Sequence, residues 1–226
     1  MKAIRAIFSG AVVMASLWAL PAGAVNLLAD YQGFDYEPTK VGPNFGDVGN
    51  SYEVLSTVPQ LGAPLVFNLG ANQYTVVISG LTSVSKLGLG TYDIITYAGG
   101  TVNVYEDPIG GGTAAAYGVN PANATAPSTF IDGTNILVGS LSSFQVVYDN
   151  ATRTGSFEGN LTFTGGSQIG NFPSNQRAGW TFAGVTGNSP ITPTGYMHQV
   201  DGSIYLDNPV PVQATTWGAV KALYAR

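Results

Sequence analysis

Apolar and polar residues alternate along most of this 226-residue chain, a pattern typical of β-strands with one buried face. Residues 156–164 show it most clearly, because Phe157, Leu161 and Phe163 fall on one face and Ser, Glu, Asn and Thr on the other. Residues 144–148 form another such run, and the turn-forming residues between the two runs predict a β-hairpin.

The same alternation predicts further strands at residues 51–57, 65–69, 74–81, 92–97, 101–106, 136–141, 180–183 and 200–206. About ten short strands at this spacing predict an all-β fold, a single antiparallel β-sandwich followed by a short C-terminal helix. The alternative is an outer-membrane-type β-barrel, which shows the same alternation. Several of the predicted strands are shorter than the roughly 9–11 residues that a membrane strand needs, which favours the sandwich.

The first 24 residues predict export from the cytoplasm. Lys2 and Arg5 precede an apolar run at residues 7–20, and Ala-Gly-Ala at residues 22–24 supplies a cleavage site for signal peptidase. The run is shorter than the roughly 20 residues of a membrane span, so we expect a cleaved signal peptide and no transmembrane span in the mature chain. The expected localisation is extracellular or in the cell envelope.

The mature chain divides by composition into a β-domain at residues 25–207, a Pro-rich linker at 208–215 and a short amphipathic tail at 216–226. Trp217 and Tyr224 lie at helical spacing in the tail, and Lys221 lies near its end, where the helix dipole favours a cation. Two interpretations stay open for these residues: a segment that packs on the β-domain, or a detachable sorting tag.

Several stretches carry a resemblance to a known class: YQGFDYE at 31–37, VYEDP at 104–108, FIDGTN at 130–135, TGSFEGNLTFTGG at 154–166, GWTFAG at 179–184 and GYMHQVDGSIYL at 195–206. Together they resemble exported bacterial β-sandwich proteins with short C-terminal sorting segments, similar in style to the PEP-CTERM class. This chain has Pro-Val-Pro at 209–211 where that class has Pro-Glu-Pro, and it lacks the class's apolar span. The resemblance implies export and placement at the surface or in the matrix, and it implies no reaction.

Composition excludes several function classes. The chain has no cysteine, which excludes a disulfide framework, a thiolate zinc site and a cysteine nucleophile. Charged residues make up only 9 % of the chain, with a net charge of −5, and Lys and Arg form no cluster. Binding of nucleic acid is therefore not expected, because it requires clustered cations that replace counterions. An extracellular glycan or an envelope component is the expected partner.

Paired carboxylates are the first candidate site. A turn at Gly99 and Gly100 would join the strands 92–97 and 101–106 into a hairpin and place Asp93 opposite Glu106, with Asp107 next to it. Such a group could bind a structural calcium ion, the one cofactor considered, or act as an acid/base pair of the glycosidase kind. The plainer expectation is a solvated hairpin end in which the side chains splay apart.

His198 is the only histidine, so any Ser-His-Asp system must use it. On a continuous strand, His198 and the nearby Asp201 point to opposite faces of the sheet. We therefore predict a structural histidine and assign no catalytic residue.

Aromatic residues are the last candidate site, because sugar rings stack on aromatic faces. Tyr105, Tyr117, Trp180 and Tyr196 lie in or beside predicted loops and are candidate ligand-binding residues, although strands are rich in aromatic core residues in any case. The sequence as a whole favours a non-catalytic protein of the cell surface or extracellular matrix with a structural or adhesive role. The alternatives are a carbohydrate-binding module and a glycoside-active enzyme.

Overall fold

A computed structural model describes residues 25–118 and 128–207. The strands are β1 Val25–Tyr36, β2 Ser51–Leu61, β3 Asn72–Leu89, β4 Tyr92–Pro108, β5 Thr134–Asp149, β6 Thr154–Gly165, β7 Trp180–Gly187 and β8 His198–Asp207. Each strand pairs antiparallel with the next and β8 pairs with β1, so the sheet closes into an eight-stranded barrel. The all-β antiparallel prediction is confirmed, whereas the sandwich is wrong, and the closed sheet fits the barrel alternative better.

The barrel has fewer strands than predicted because two pairs of predicted strands are continuous. Residues 92–97 and 101–106 both belong to β4, and residues 136–141 and 144–148 both belong to β5. In each of these strands, the inward-pointing side chains change from odd to even positions at residues with a left-handed backbone conformation. These residues are Gly99 and Gly100 in β4 (φ 75° and 95°) and Ser143 in β5 (φ 53°). Residues 65–69 form no strand and lie in the loop between β2 and β3, whereas β1 was not among the ten predicted strands and brings the count to eight. The hairpin between β5 and β6 is confirmed.

Side chains fill the barrel interior, as expected because eight strands enclose a space just wide enough for them. Tyr31 stacks on Phe182 with ring centroids 4.9 Å apart, and Phe144 lies 5.8 Å from Phe157. The outward positions of β6 remain polar, as the alternation predicts. No helix within the described residues is long and apolar enough to cross a membrane.

A loop at residues 37–50 closes the end of the barrel at which β1 ends and β8 begins; we call this the plug end. The ring of Phe45 lies 4.7 Å from that of Tyr148 and 5.1 Å from that of His198. The buried Glu37 holds the loop, since its carboxylate accepts hydrogen bonds from the amide N–H of Gly46 at 2.7 Å and from Nδ2 of Asn50 at 3.2 Å.

The opposite end is closed by apolar side chains from two loops. Phe172, from the loop between β6 and β7, lies 5.1 Å from Phe163 and 5.9 Å from Trp180. Trp180 is buried, and its Nε1 donates a hydrogen bond to the carbonyl of Gln176 at 2.7 Å. Leu65, from the loop between β2 and β3, belongs to the same core.

Glu37→Gln should make the stability of the barrel less dependent on pH. Burial raises the pKa of Glu37, although hydrogen bonds from Gly46 and Asn50 oppose the rise. A carboxyl whose folded pKa lies above its unfolded value loses stability as pH rises between the two values. We therefore expect the free energy of unfolding of Glu37→Gln, relative to wild type, to increase as the pH rises above about 4, the ordinary pKa of a glutamate carboxyl.

Urea unfolding of both proteins at several pH values measures this difference. The pKa values of Asp47 and Asp149 are lowered by their hydrogen bonds, which gives the opposite pH dependence, but both residues are common to the two proteins and their effect cancels. Parallel stability curves for the two proteins would contradict the prediction.

Candidate functional site

A second, smaller apolar cluster lies on the outer face of β1–β4; we call it the outer aromatic cluster. Residues 115–117 and 130 of the long loop after β4 fold back against the barrel wall and cover it. The buried members are Phe34, Tyr36, Leu55, Val77, Phe130 and Tyr196, and Tyr105, Ala115 and Tyr117 pack against them.

Tyr117 lies at the centre of the outer aromatic cluster. Its ring meets Phe34 edge to face at 4.7 Å and Tyr196 edge to face at 5.7 Å. The Tyr117 hydroxyl donates to the carbonyl of Gln32 at 3.3 Å, and its own carbonyl accepts a hydrogen bond from the Tyr196 hydroxyl at 2.8 Å. Burial raises the pKa of Tyr117 to about 12, so this phenol is neutral at physiological pH. These contacts fix the ring on the barrel wall.

A cleft of about 250 Å³ opens beside this ring; we call it the outer cleft. Gln32 and Gln199 project from the neighbouring strands β1 and β8, and their side-chain amides have no hydrogen-bond partner among the described residues. The full lining is Gln32, Gly33, Phe34, Thr57, Tyr117, Ile191 and Gln199. An aromatic edge beside free amides is a surface that can contact a sugar ring and hydrogen-bond its hydroxyls.

Three of the four predicted ligand-binding aromatics therefore come together. Tyr105, Tyr117 and Tyr196 all belong to the outer aromatic cluster, although only Tyr117 lines the cleft. Trp180 lies apart from them, because it is an inward residue of β7 that packs under the loop at the opposite end.

The carboxylates are not brought together, because the predicted hairpin at Gly99 and Gly100 is wrong. Asp93 and Glu106 lie near opposite ends of the single strand β4, roughly 40 Å apart at about 3.3 Å per residue. An acid/base pair of a glycosidase needs a separation of only about 5–10 Å, and one calcium ion likewise cannot contact both carboxylates.

Each of these carboxylates has its own local partner. Asp93 pairs with Lys86 at 3.2 Å, and Asp107 accepts a hydrogen bond from Gln73 at 2.6 Å. Glu106 accepts from the Tyr74 hydroxyl at 2.7 Å. Within residues 25–118 and 128–207, no group of three or more His, Asp and Glu residues could hold a metal ion.

His198 is buried, and its carboxylate partner is Asp35 of β1. The Nδ1 of His198 lies 3.1 Å from both carboxylate oxygens of Asp35, whereas Asp201 is exposed on the outer face of β8. An ionised carboxylate only accepts hydrogen bonds, so Nδ1 carries a proton. The other ring nitrogen, Nε2, lies 2.9 Å from the hydroxyl of Tyr148.

Asp35 is fully buried and accepts further hydrogen bonds from three strands. The Tyr52 hydroxyl donates at 3.0 Å, the Thr186 hydroxyl at 2.7 Å and the amide N–H of His198 at 2.8 Å. This array joins β1, β2, β7 and β8 at the plug end. In the described residues, no serine hydroxyl contacts His198, so the group does not form a Ser-His-Asp triad.

Sequence reasoning missed Asp35 and Tyr148 because they lie far from His198 along the chain. A usable signal was present, since Asp35 shares strand parity with Tyr31 and Gly33, both of which are buried. The predicted tail residues Trp217, Lys221 and Tyr224, the linker at 208–215 and the signal peptide lie outside the described residues.

The molecule therefore offers a packed barrel with an aromatic cleft on its wall and a hydrogen-bonded array at its plug end. Both features are defined by this chain's own residues. No protein-family model, curated protein or solved structure matches the chain.

Proposed function

We propose that this chain is an exported, non-catalytic protein of the cell surface or extracellular matrix that adheres to neutral glycans through the outer cleft. The observation that carries the proposal is the position of Tyr117, whose partly exposed ring lies beside the Gln32 and Gln199 amides, which have no hydrogen-bond partner in the described part of the chain. The signal-peptide pattern of the first 24 residues supports export.

The distribution of side chains supports a rigid, water-exposed scaffold. The interior is filled with aromatic and aliphatic residues, whereas the outward positions of β6 are hydroxyl, amide and carboxylate groups. On β6 this arrangement is the reverse of a strand in an outer-membrane barrel, whose apolar residues face outward. Ligand binding is accordingly proposed at the surface of the barrel and not within it.

The volume of the outer cleft favours a small ligand. Its volume of about 250 Å³ lies just below the range of about 300–1,000 Å³ that is usual for drug-sized ligands. A single sugar ring at the end or side of a longer glycan suits such a cleft. The wide separation of Asp93 and Glu106 gives the glycoside-active alternative no support.

Removing the aromatic edge or an amide of the outer cleft should weaken glycan binding. We expect Tyr117→Ala to lose about 1–2 kcal/mol of binding free energy, or roughly 5–30-fold in affinity, since buried tyrosine contacts dominate such sites. Gln199→Ala should lose a smaller amount. Isothermal titration with neutral hexaoses of glucose and of N-acetylglucosamine measures both, after a glycan array has identified the preferred sugar.

Gln145→Ala is the matched control, because Gln145 is an exposed amide on the outer face of β5 and lies outside the outer cleft. Gln199→Ala also guards against misfolding of Tyr117→Ala, since the Gln199 amide supports no hydrogen bond within the described residues. If no neutral glycan binds, or if Tyr117→Ala and Gln199→Ala both bind like wild type, the proposal is wrong.

A further inference from the structure

A basic pocket lies at the plug end, distinct from the outer cleft. Its volume is about 290 Å³, and Tyr148 and His198 form its buried part. Lys40 and Arg153 lie at its rim. The remaining lining residues are Pro43, Asn44, Phe45, Asn150 and Met197.

Two of the four cations in the described residues therefore line one small pocket of an acidic protein. The other two have structural partners elsewhere: Lys86 pairs with Asp47 at 2.9 Å, and Arg177 donates to the carbonyl of Phe172 at 3.1 Å. Lys40 lies 3.6 Å from the carboxylate of Glu37. Arg153 forms no salt bridge with a carboxylate of the described residues.

The backbone holds Arg153 firmly. Its amide N–H donates to the carbonyl of Asp149 at 2.8 Å, and its own carbonyl accepts from the amide of Asn188 at 3.1 Å. The residue adopts φ 56°, a left-handed conformation that is uncommon for a residue with a side chain. The turn between β5 and β6 thus places the Arg153 side chain at the pocket rim.

The carboxylates near the pocket do not compete for Arg153, because each is engaged by other donors. Asp35 accepts from His198 behind the pocket wall, and Asp93 pairs with Lys86. Asp149 accepts hydrogen bonds from the residues that follow it in its own turn. The guanidinium instead interacts with the hydroxyl of Tyr148, where it opposes the rise in the pKa of that phenol caused by burial.

We infer that this pocket binds a compact oxyanion, the carboxylate of an acidic sugar or a sulfate or phosphate group, with Arg153 as the main binding residue. The planar guanidinium matches a two-oxygen acceptor, and Lys40 adds a second positive charge at the rim. The rings of Phe45 and Tyr148 provide an aromatic wall that a sugar ring can contact. This ligand differs in charge and in place from the neutral glycan proposed for the outer cleft.

The test is binding of galacturonate, sulfate, inorganic phosphate and neutral galactose to the mature protein, measured by isothermal titration. We expect the three anions to bind, whereas any binding of galactose belongs to the outer cleft and is unaffected by Arg153→Gln. Arg153→Gln should weaken binding of the anions at least about tenfold, since hydrogen bonds between charged groups are lost. Tyr117→Ala should leave binding of the anions unchanged, which separates this inference from the proposed function.

Arg177→Gln is the matched control, because it removes the same charge at the opposite end of the barrel. Preference for galacturonate over sulfate and phosphate would identify an acidic sugar as the ligand, and equal binding of all three would identify the oxyanion alone. The inference is overturned if none of the three anions binds, if galactose binds Tyr117→Ala, in which the outer cleft is altered, as well as galacturonate does, or if Arg153→Gln and Arg177→Gln weaken anion binding equally. Thermal melts of both variants confirm that each remains folded.

Discussion

Replacing Asp35 by alanine should destabilise the barrel by about 3–5 kcal/mol, since it removes one partner from a buried, hydrogen-bonded charged group. The substitution leaves Nδ1 and the amide of His198 without their acceptor, together with the hydroxyls of Tyr52 and Thr186. None of these four groups can turn to water, because the three residues that carry them are buried. Each buried donor left unpaired costs about 1–3 kcal/mol.

Urea unfolding of Asp35→Ala against Asp201→Ala measures this effect. Asp201 is an acidic residue of the same barrel that is exposed on the outer face of β8, so its substitution should change stability by no more than about 0.5 kcal/mol. Combining Asp35→Ala with His198→Phe should destabilise less than the sum of the two, because the two side chains share one hydrogen-bonded array. Equal stability of Asp35→Ala and Asp201→Ala would show that the array contributes nothing.

The role of Asp35 illustrates what alternation alone can predict. Apolar Phe34 and Tyr36 flank Asp35 in the sequence, and a charged residue between apolar ones in a strand suggests an edge exposed to water. β1 pairs with both β2 and β8, so the closed barrel has no edge, and the inward Asp35 is enclosed by its partners. Closure depends on pairing between the first and the last strand, which no local pattern encodes.

The outer aromatic cluster shows a second limit. Tyr105, Tyr117 and Tyr196 were predicted as candidates because they are aromatic and lie near loops, and they do come together. Their shared position follows from the fold of two loops against the barrel wall, and these loops are held by hydrogen bonds such as that between Tyr196 and Tyr117. The sequence identifies these residues as aromatic. That Trp180 points into the barrel while the three tyrosines lie outside it follows only from the closed sheet.

Glycine was the most misleading residue type in the sequence. Gly99 and Gly100 predict a tight turn, but they permit a reversal of alternation within β4, beside Gly80 of β3 and Ser143 of β5. Both a hairpin and a kinked continuous strand use left-handed glycine, so the pattern alone could not separate them. Glycines at inward positions also leave room for large aromatic rings inside the barrel, a role that the alternation of apolar and polar residues does not reveal.

Gly202→Ala should destabilise the barrel by about 3 kcal/mol through overpacking of the interior. Gly202 lies at an inward position of β8, opposite Tyr31 of β1. An added Cβ would collide with the Tyr31 hydroxyl and with the carbonyl oxygen of Ala183, the pair that is joined by a hydrogen bond of 3.1 Å. The carbonyl belongs to the backbone of β7 and cannot move aside without disturbing the sheet.

Gly110→Ala is the matched control, because a Cβ at Gly110 would meet no atom within 4 Å. Neither glycine has a positive φ, so the two substitutions differ in available space and not in backbone strain. Tyr31→Phe removes the colliding hydroxyl but leaves the Ala183 carbonyl in place, and should therefore recover only part of the stability lost in Gly202→Ala. Equal unfolding midpoints for Gly202→Ala and Gly110→Ala would mean that the Tyr31 ring does not occupy the space over Gly202.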